Sequence, residues 1–400
     1  MLEAIEFAVT PAATVAGLLI ILGILSETFE VMLLPRRVPR RVRPVRVFFR
    51  FTWWAWSSLG ARIPQGPRRQ NYLAVYGPFS MVMLMITWAL GLILGFALLQ
   101  WAVVSGLASR STFTTQLYAS GSTFFTVGFG DVSPMTPVAK LISVAEAGIG
   151  FGFIAVVIGY LPVLYQLYAR REIHIMQLDA RAGSPPCALT LLCRHAQADA
   201  RNELANLLRS WEAWCSELLV SHLSYPMLSY YRSQRDNQSW LAGLAAVMDC
   251  SAVIMVGIAG MRPFEARMTF AMARLTVLEM SRVFETNPAT NVDRLSRVDF
   301  ETLAARLSEA GLAWNNPHDA ERRLASLRAT YEPFLEVLSN YLLLPLPGWL
   351  PDRTLRDDWQ QGFEGTAATW LLETDAKASN LPRPPITIHD VRLEIQPISK

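Results

Sequence analysis

A run of six residues between two long apolar segments has the residue types needed to surround a dehydrated cation. Residues 126–131 read Thr-Val-Gly-Phe-Gly-Asp. Gly128 and Gly130 can take positive φ at no steric cost, so normal and left-handed residues can alternate and turn successive carbonyls toward one side. Rings of such carbonyls replace the hydration shell of an ion in a pore. The predicted ligands are the carbonyls of Thr126, Val127, Gly128 and Phe129 with the Thr126 hydroxyl, and Asp131 places a carboxylate near the mouth.

The alternative interpretation of this run is an ordinary turn between two helices, since Gly and Asp favour turns. Its context argues against a turn. Residues 111–125 form an uncharged stretch rich in Thr, Ser and Phe, which is long enough for a helix but too short to cross a bilayer. Non-helical backbone at membrane depth occurs where it lines a pore or is buried in protein. We therefore expect a re-entrant helix whose negative C-terminal end faces a cation.

Composition indicates a membrane protein with a large soluble part. The chain is 52% hydrophobic and 17% charged, more apolar than a typical soluble domain. No charge occurs in residues 7–26 or 70–109, and residues 141–169 contain one charged residue, Glu146. Each stretch is long enough to cross the hydrocarbon core. Three transmembrane helices are predicted, and the acidic flank of the first argues against a signal peptide.

The distribution of arginines predicts the orientation of these helices. The segment between the second and third spans, which carries residues 126–131, contains one arginine, Arg110. Ten arginines lie between the first two spans: Arg36, Arg37, Arg40, Arg41, Arg43, Arg46, Arg50, Arg62, Arg68 and Arg69. Positive residues stay on the cytoplasmic side. The six-residue run and the N-terminus are therefore expected outside, and the chain beyond Arg171 is expected in the cytoplasm.

The arginine-rich segment has three interpretations: a topology signal, a contact with anionic lipid, or a voltage sensor. A sensor needs arginines at helical spacing within a span, and the prolines at 35, 39 and 44 exclude it. Residues 46–63 add several aromatic side chains, a mixture suited to the membrane interface. The candidate lipid contacts are Arg36, Arg37, Arg40, Arg41, Trp53 and Trp54.

The third predicted span carries glycines and one acid. Glycines in a membrane helix allow close packing or bending, and both interpretations stay open for Gly148 and Gly150. Glu146 is a candidate functional residue because an acid within a span is costly. It would either line a cavity and attract cations, or hydrogen-bond behind residues 126–131, or be a structural carboxyl satisfied by a neighbouring subunit's Ser or Thr.

Over about residues 70–170 the chain resembles the pore-loop potassium channels, through the Thr126–Asp131 run and the Val-Ser-Pro-Met-Thr that follows it. The resemblance implies potassium binding at the Thr126–Phe129 carbonyls, a symmetric homotetramer, and a gating hinge for which Gly150 is the best match. Phe125 and Ser122 depart from the usual pattern and bear on filter stability. Residues 29–37 look like bacterial members with an extra first helix, which implies a bacterial plasma membrane.

The remaining residues are predicted to be mainly α-helical, because they show helical periodicity and little alternation. Residues 240–261 contain a single charge, Asp249, and could form a fourth span by length. A buried core helix that continues past Arg262 is preferred, since a polar stretch precedes it. Residues 222–232 indicate either a pocket wall or a helix boundary with packed aromatics.

The sequence thus predicts an all-α membrane protein with three transmembrane helices, a re-entrant pore helix and filter loop, and a mainly helical cytoplasmic domain. The predicted domains are 1–35, an N-terminal helix; 36–70, a basic and aromatic interfacial segment; 71–170, the pore domain; 171–381, the helical domain; and 382–400, a proline-rich tail.

The predicted function is potassium permeation through a homotetramer in contact with membrane lipids, modulated by an unidentified cytoplasmic ligand. The alternative is a poorly conducting potassium-sensing protein whose soluble domain is the output. No enzyme motif, cofactor site or basic face for nucleic acid is evident. The spacing of Cys187, Cys193 and His195 does not match a zinc site.

Overall fold

Three long apolar helices match the three predicted membrane spans. The computed structural model describes residues 2–32, 44–64, 66–105 and 112–351. Within these ranges the helices of membrane-crossing length and composition are Pro11–Met32, Pro67–Val104 and Pro137–Ala182. The described residues contain no strand, and one isolated bridge joins Ile258 to Trp314. The prediction of an all-α membrane protein is therefore confirmed.

The described helices follow in chain order and are numbered accordingly. In the membrane part they are α1 Leu2–Met32, α2 Pro44–Gly60, α3 Pro67–Ser105, α4 Phe113–Phe124 and α5 Pro137–Ala182. The C-terminal helices are α6 Ala188–Arg194, α7 Ala200–Ser224, α8 Trp240–Val256, α9 Pro263–Val283, α10 Arg297–Glu309, α11 Pro317–Arg328 and α12 Glu332–Leu342, with a 3₁₀ turn at Pro226–Tyr230 between α7 and α8. The boundary predicted at residue 170 falls inside α5, which is continuous to Ala182.

Small residues bring α1 and α3 into close contact. A Cβ atom on Gly17 would lie 2.7 Å from the backbone oxygen of Gly95, and one on Gly95 would lie 3.2 Å from the oxygen of Gly17. Lipid tails are as apolar as Leu side chains, so helices in a bilayer associate through such close packing. Helix α1 is therefore fixed against the outer surface of α3.

Helix α8 forms the core of the C-terminal helices. Every residue of Trp240–Val256 except Met255 is buried, which agrees with the preferred core helix rather than a fourth span. The predicted continuation past Arg262 is wrong, because the helix ends at Gly257, where φ is +114°, and α9 starts at Pro263. Glycine accommodates this turn because it has no Cβ.

The acid in the middle of α8 is tolerated because it is paired. Arg294 Nη2 lies 2.9 Å from Asp249 Oδ2, and the Tyr331 hydroxyl donates to Asp249 Oδ1 at 2.6 Å. Arg294 also lies 3.5 Å from Glu332, which Arg328 contacts at 3.0 Å. Burial raises the pKa of the Asp249 carboxyl, and Arg294 opposes that shift. The charges in this core thus form a connected network.

The 3₁₀ turn and its flanks, residues 225–232, join the C-terminal helices to the membrane helices; we call them the connector. Tyr230 packs on Trp53 of α2, with ring centroids 5.0 Å apart, and Tyr225 meets Tyr160 of α5 at 5.5 Å. This arrangement confirms the predicted helix boundary with packed aromatics.

Arg294→Met should destabilise the C-terminal helices by about 3–5 kcal/mol, because it leaves the buried Asp249 carboxyl without its cation. Thermal unfolding of the detergent-solubilised protein measures the change. Adding Asp249→Asn should recover part of the loss. Arg322→Met is the matched control, since the exposed Arg322–Asp319 pair contributes about 1 kcal/mol or less. Equal losses in the two arginine variants would contradict the prediction.

Candidate functional site

The short helix α4 precedes the six-residue run and lies between two membrane-length helices. The Thr112 hydroxyl accepts a hydrogen bond from the Thr115 N–H at 3.3 Å and caps its start, as expected of threonine at this position. Gln116, Ser120 and Phe124, at intervals of four residues, are buried. One face of α4 thus packs against α3 and α5. At twelve residues it is too short to cross a bilayer.

Backbone conformation alternates in the residues that follow α4. Thr126, Gly128 and Gly130 have φ of 55°, 64° and 80°. The sequence predicted positive φ at the two glycines but not at Thr126, where a side chain makes the left-handed region costly. The N–H groups of Val127 and Gly128 donate to the Ser122 carbonyl at 2.9 and 3.4 Å. These bonds fold the start of the run back onto the end of α4.

The carbonyls predicted to bind a cation have no other partner in the described residues. No hydrogen bond within the described residues is accepted by the carbonyls of 126–129. Unpaired carbonyls at membrane depth are costly unless they line a pore. Alternating backbone of this kind directs successive carbonyls to one side, where they can coordinate a dehydrated cation.

The side chains of the run lie open in the single chain. Val127 is 53% exposed and Phe129 is 68% exposed. Tyr118 of α4 stacks on Phe129, with ring centroids 6.3 Å apart and planes 6° apart. Sequence reasoning missed Tyr118. The signal was an aromatic residue on α4 two turns before the run, but its contact with Phe129 depends on how the chain folds back.

Gly150 lies where α5 crosses the end of α4. A Cβ atom on Gly150 would lie 2.8 Å from the carbonyl carbon and 3.0 Å from the Cα of Phe124, and closer still to the Phe124 oxygen. Real Cβ atoms do not approach backbone so closely, so only glycine fits there. A Cβ on Gly148 would meet no atom within 4 Å. Of the two functions weighed for Gly150, the geometry supports close packing.

Glu146 of α5 is buried against α4. It is 1% exposed, and its carboxyl hydrogen-bonds to the Ser120 hydroxyl of α4. The interpretation in which Glu146 lines a cavity does not fit this burial, and the hydrogen bond behind the run does. Its partner belongs to the same chain, not to a neighbouring subunit.

The candidate lipid contacts fall into three groups. Arg36, Arg37, Arg40 and Arg41 lie outside the described residues. Trp53 is 3% exposed, and its indole N–H donates to the Tyr341 carbonyl at 2.9 Å. Trp54, the next residue, is 64% exposed. Trp53 is therefore a packing residue between α2 and α12, and of the two tryptophans Trp54 is the one exposed for the expected lipid contact.

Comparison with protein-family models gives a match over the pore region of the chain. A family model described as an ion channel matches residues 81–166, which covers most of α3, all of α4, the six-residue run and the first two thirds of α5. Comparisons with curated proteins and with solved structures give no significant match. The chain is thus a membrane protein with an ion-channel region. Within the described residues no group of His, Cys, Asp and Glu side chains is arranged to hold a metal ion.

Gly150→Ala should destabilise the protein by about 1–3 kcal/mol, because the new methyl group forces α5 away from Phe124. Helix propensity alone predicts a stabilised variant, since Ala is more favourable than Gly within a helix by about 1 kcal/mol. Thermal unfolding in detergent distinguishes the two. Gly148→Ala is the control, and it should be neutral or stabilising. A stabilised Gly150→Ala variant would show that the contact with Phe124 is not a constraint.

Proposed function

We propose that the chain is a subunit of a potassium-selective channel that lets potassium pass down its gradient. The observation that carries the proposal is the alternation of positive φ at Thr126, Gly128 and Gly130, directly after a short helix and between two membrane-length helices. The carbonyls of residues 126–129 and the Thr126 hydroxyl replace the water around potassium. The carboxylate of Asp131 raises the local concentration of cations near the mouth. Potassium is the permeant substrate, and the proposed function needs no cofactor.

A homotetramer follows from the chemistry of the filter. One strand presents carbonyls from one direction, so a closed ring needs several copies around a symmetry axis, and four complete the site. The exposed Val127 and Phe129 side chains are apolar surfaces that neighbouring subunits would cover. In this assembly the negative C-terminal ends of four α4 helices converge below the filter and favour a cation there.

The proposed orientation places residues 126–131 and the N-terminus outside, and the C-terminal helices in the bacterial cytoplasm. It rests on the arginines between the first two spans. Of these, Arg46 and Arg50 lie on α2, and both pair with Glu285 near the end of α9. Helix α2 and the C-terminal helices therefore share one side of the membrane in this proposal.

The C-terminal helices modulate the pore through the connector. Arg171 of α5 donates to the carbonyls of Leu228 and Tyr231, each at 2.8 Å. Tyr231 also packs on α3, where a Cβ atom on Gly77 would lie 2.8 Å from its ring. The connector thus touches both α3 and α5. A ligand that shifts the C-terminal helices can move α5 by this route and bend it, which gates the pore.

Membrane lipid is the second proposed partner, through α2. Its outward side carries apolar side chains that are more than half exposed: Val47, Phe51, Trp54 and Leu59. Its inward side packs on Tyr72 and Tyr76 at the start of α3, which is the cytoplasmic end of that span in the proposed orientation. A helix in this position lies in the interface and contacts lipid, with anionic headgroups opposite the arginines.

Purified protein in liposomes should give a reversal potential near the potassium equilibrium value when potassium and sodium are on opposite sides. Gly128→Ala should abolish the selectivity, because alanine disfavours the positive φ at that position. Vesicles with and without anionic lipid test the lipid contact in the same assay. A wild type that folds but passes no selective current under any lipid would favour the sensor hypothesis over the channel.

Arg171→Met should change the open probability about fivefold or more without changing the reversal potential, because it breaks the link between α5 and the connector but leaves the filter intact. Single-channel recording measures both quantities. Arg170→Met is the matched control, since Arg170 is exposed and the neighbouring position carries the contact. Equal effects of the two substitutions would remove the connector from the gating mechanism.

A further inference from the structure

Glu146 is an acid in the membrane-spanning part of α5, and no cationic side chain within the described residues pairs with it. It is 1% exposed, and among the described residues its hydrogen-bond partner is the Ser120 hydroxyl. A charged side chain at membrane depth is costly unless it is paired or reaches water. Glu146 does neither.

The hydrogen-bond geometry around Ser120 indicates where a proton lies. The Ser120 Oγ is bonded to the Glu146 carboxyl and also lies 2.8 Å from the backbone oxygen of Ile93 on α3. A hydroxyl has one hydrogen, whereas a carbonyl and a carboxylate only accept. If Glu146 were ionised, only one of these two close oxygen–oxygen contacts could have a hydrogen between its atoms. A protonated Glu146 donates to Ser120, Ser120 donates to Ile93, and every group is satisfied.

We propose that Glu146 is a neutral carboxylic acid that positions the pore helix α4, and that loss of its proton disturbs the filter. The proposal rests on the proposed channel function, because its consequence is read at residues 126–130. It assigns Glu146 a positioning function, since the carboxyl touches α4 and not the permeant ion. The chain from Glu146 through Ser120 to Ile93 joins α5, α4 and α3.

The hydrogen bonds from Glu146 through Ser120 to Ile93 lie next to the residues that anchor the filter. Ser120 and Phe124 lie one turn apart on α4, and Glu146 and Gly150 lie one turn apart on α5. The two helices therefore meet at two successive contacts, the hydrogen bond between Glu146 and Ser120 and the close approach of Gly150 to Phe124. Between them on α4 is Ser122, whose carbonyl accepts from Val127 and Gly128. A shift of α4 at Ser120 therefore moves the anchor of the filter.

In the part of the chain that the structure describes, the helices packed around Glu146 supply no group that would balance its charge. Residues 70–105 of α3 and all of α4 carry no Asp, Glu, Lys, Arg or His. The titratable side chain of α4 is Tyr118, which stacks on Phe129, and that of α1 nearest α3 is Glu27, which bonds to Trp88 and to the Val45 N–H. On α5 itself, Lys140 is exposed. An ionised Glu146 would be a buried anion with one donor.

The first experiment measures potassium current against pH in liposomes. Wild-type current should fall about tenfold as the pH is raised from neutral to strongly alkaline, because deprotonation buries a charge and turns the Ser120 hydroxyl from the Ile93 carbonyl to the carboxylate. Glu146→Gln keeps the shape and a donor for Ser120 but does not titrate, so its current should remain selective and vary little over the same range. Lys140→Gln is the control for an exposed titratable group on the same helix, and it should follow the wild type.

The second experiment reads the proton directly and does not depend on conduction. The infrared spectrum of the wild type at neutral pH, minus that of Glu146→Gln, should contain the carbonyl stretch of a protonated carboxylic acid. Absence of this band would overturn the proposal, as would a Glu146→Gln pH profile that matches the wild type. A wild type with the band but no selective current would instead overturn the proposed channel function and leave the protonated carboxyl standing.

Discussion

Backbone N–H and C=O groups at membrane depth need hydrogen-bond partners or ligands. Residues 126–131, which follow α4, lack the hydrogen bonds of a helix and must be satisfied in another way. The N–H groups at the start of the run return to the Ser122 carbonyl, so the donors are satisfied by the protein. The carbonyls of 126–129 accept nothing within the described residues. Such an imbalance persists only if water or a cation completes it. Helix α4 anchors the run through Ser122, and α3 and α5 pack against α4.

The means of holding it differ from those of a soluble core. Hydrophobic burial gives little drive between helices in lipid, so small residues and a few polar contacts fix the geometry. Gly17 and Gly95 join α1 to α3, Gly150 lets α5 touch the backbone of Phe124, and Gln100 donates to Ser143 and to the Ala139 carbonyl at 2.9 and 3.1 Å. The contacts of Gly150 and Gln100 join the helices around the run, and that of Gly17 attaches α1 to them. The C-terminal helices instead have a continuous apolar core around α8 with a buried ion network.

The sequence predicted those features that depend on local residue type. Span length and the absence of charge located α1, α3 and α5, and the two glycines indicated positive φ at 128 and 130. Positive φ at Thr126 was not predictable, because threonine avoids it unless the surrounding structure imposes it. The burial of Trp53 was missed for a related reason. An aromatic side chain on an amphipathic helix suits lipid and protein equally, and its contact with Tyr341 joins residues 288 positions apart.

The contacts of α5 also bear on where this helix can bend. Bending at Gly150 would withdraw α5 from Phe124 and disturb the end of α4 together with the filter. Pro162 lies three residues beyond Gly159, and a Cβ atom on Gly159 would meet nothing within 4 Å. Proline removes the hydrogen bond to the fourth preceding residue and weakens the helix there. A bend near Gly159 and Pro162 falls between the filter contacts and Arg171. It would let the connector move the far end of α5 while Glu146 and Gly150 keep the pore helix in place.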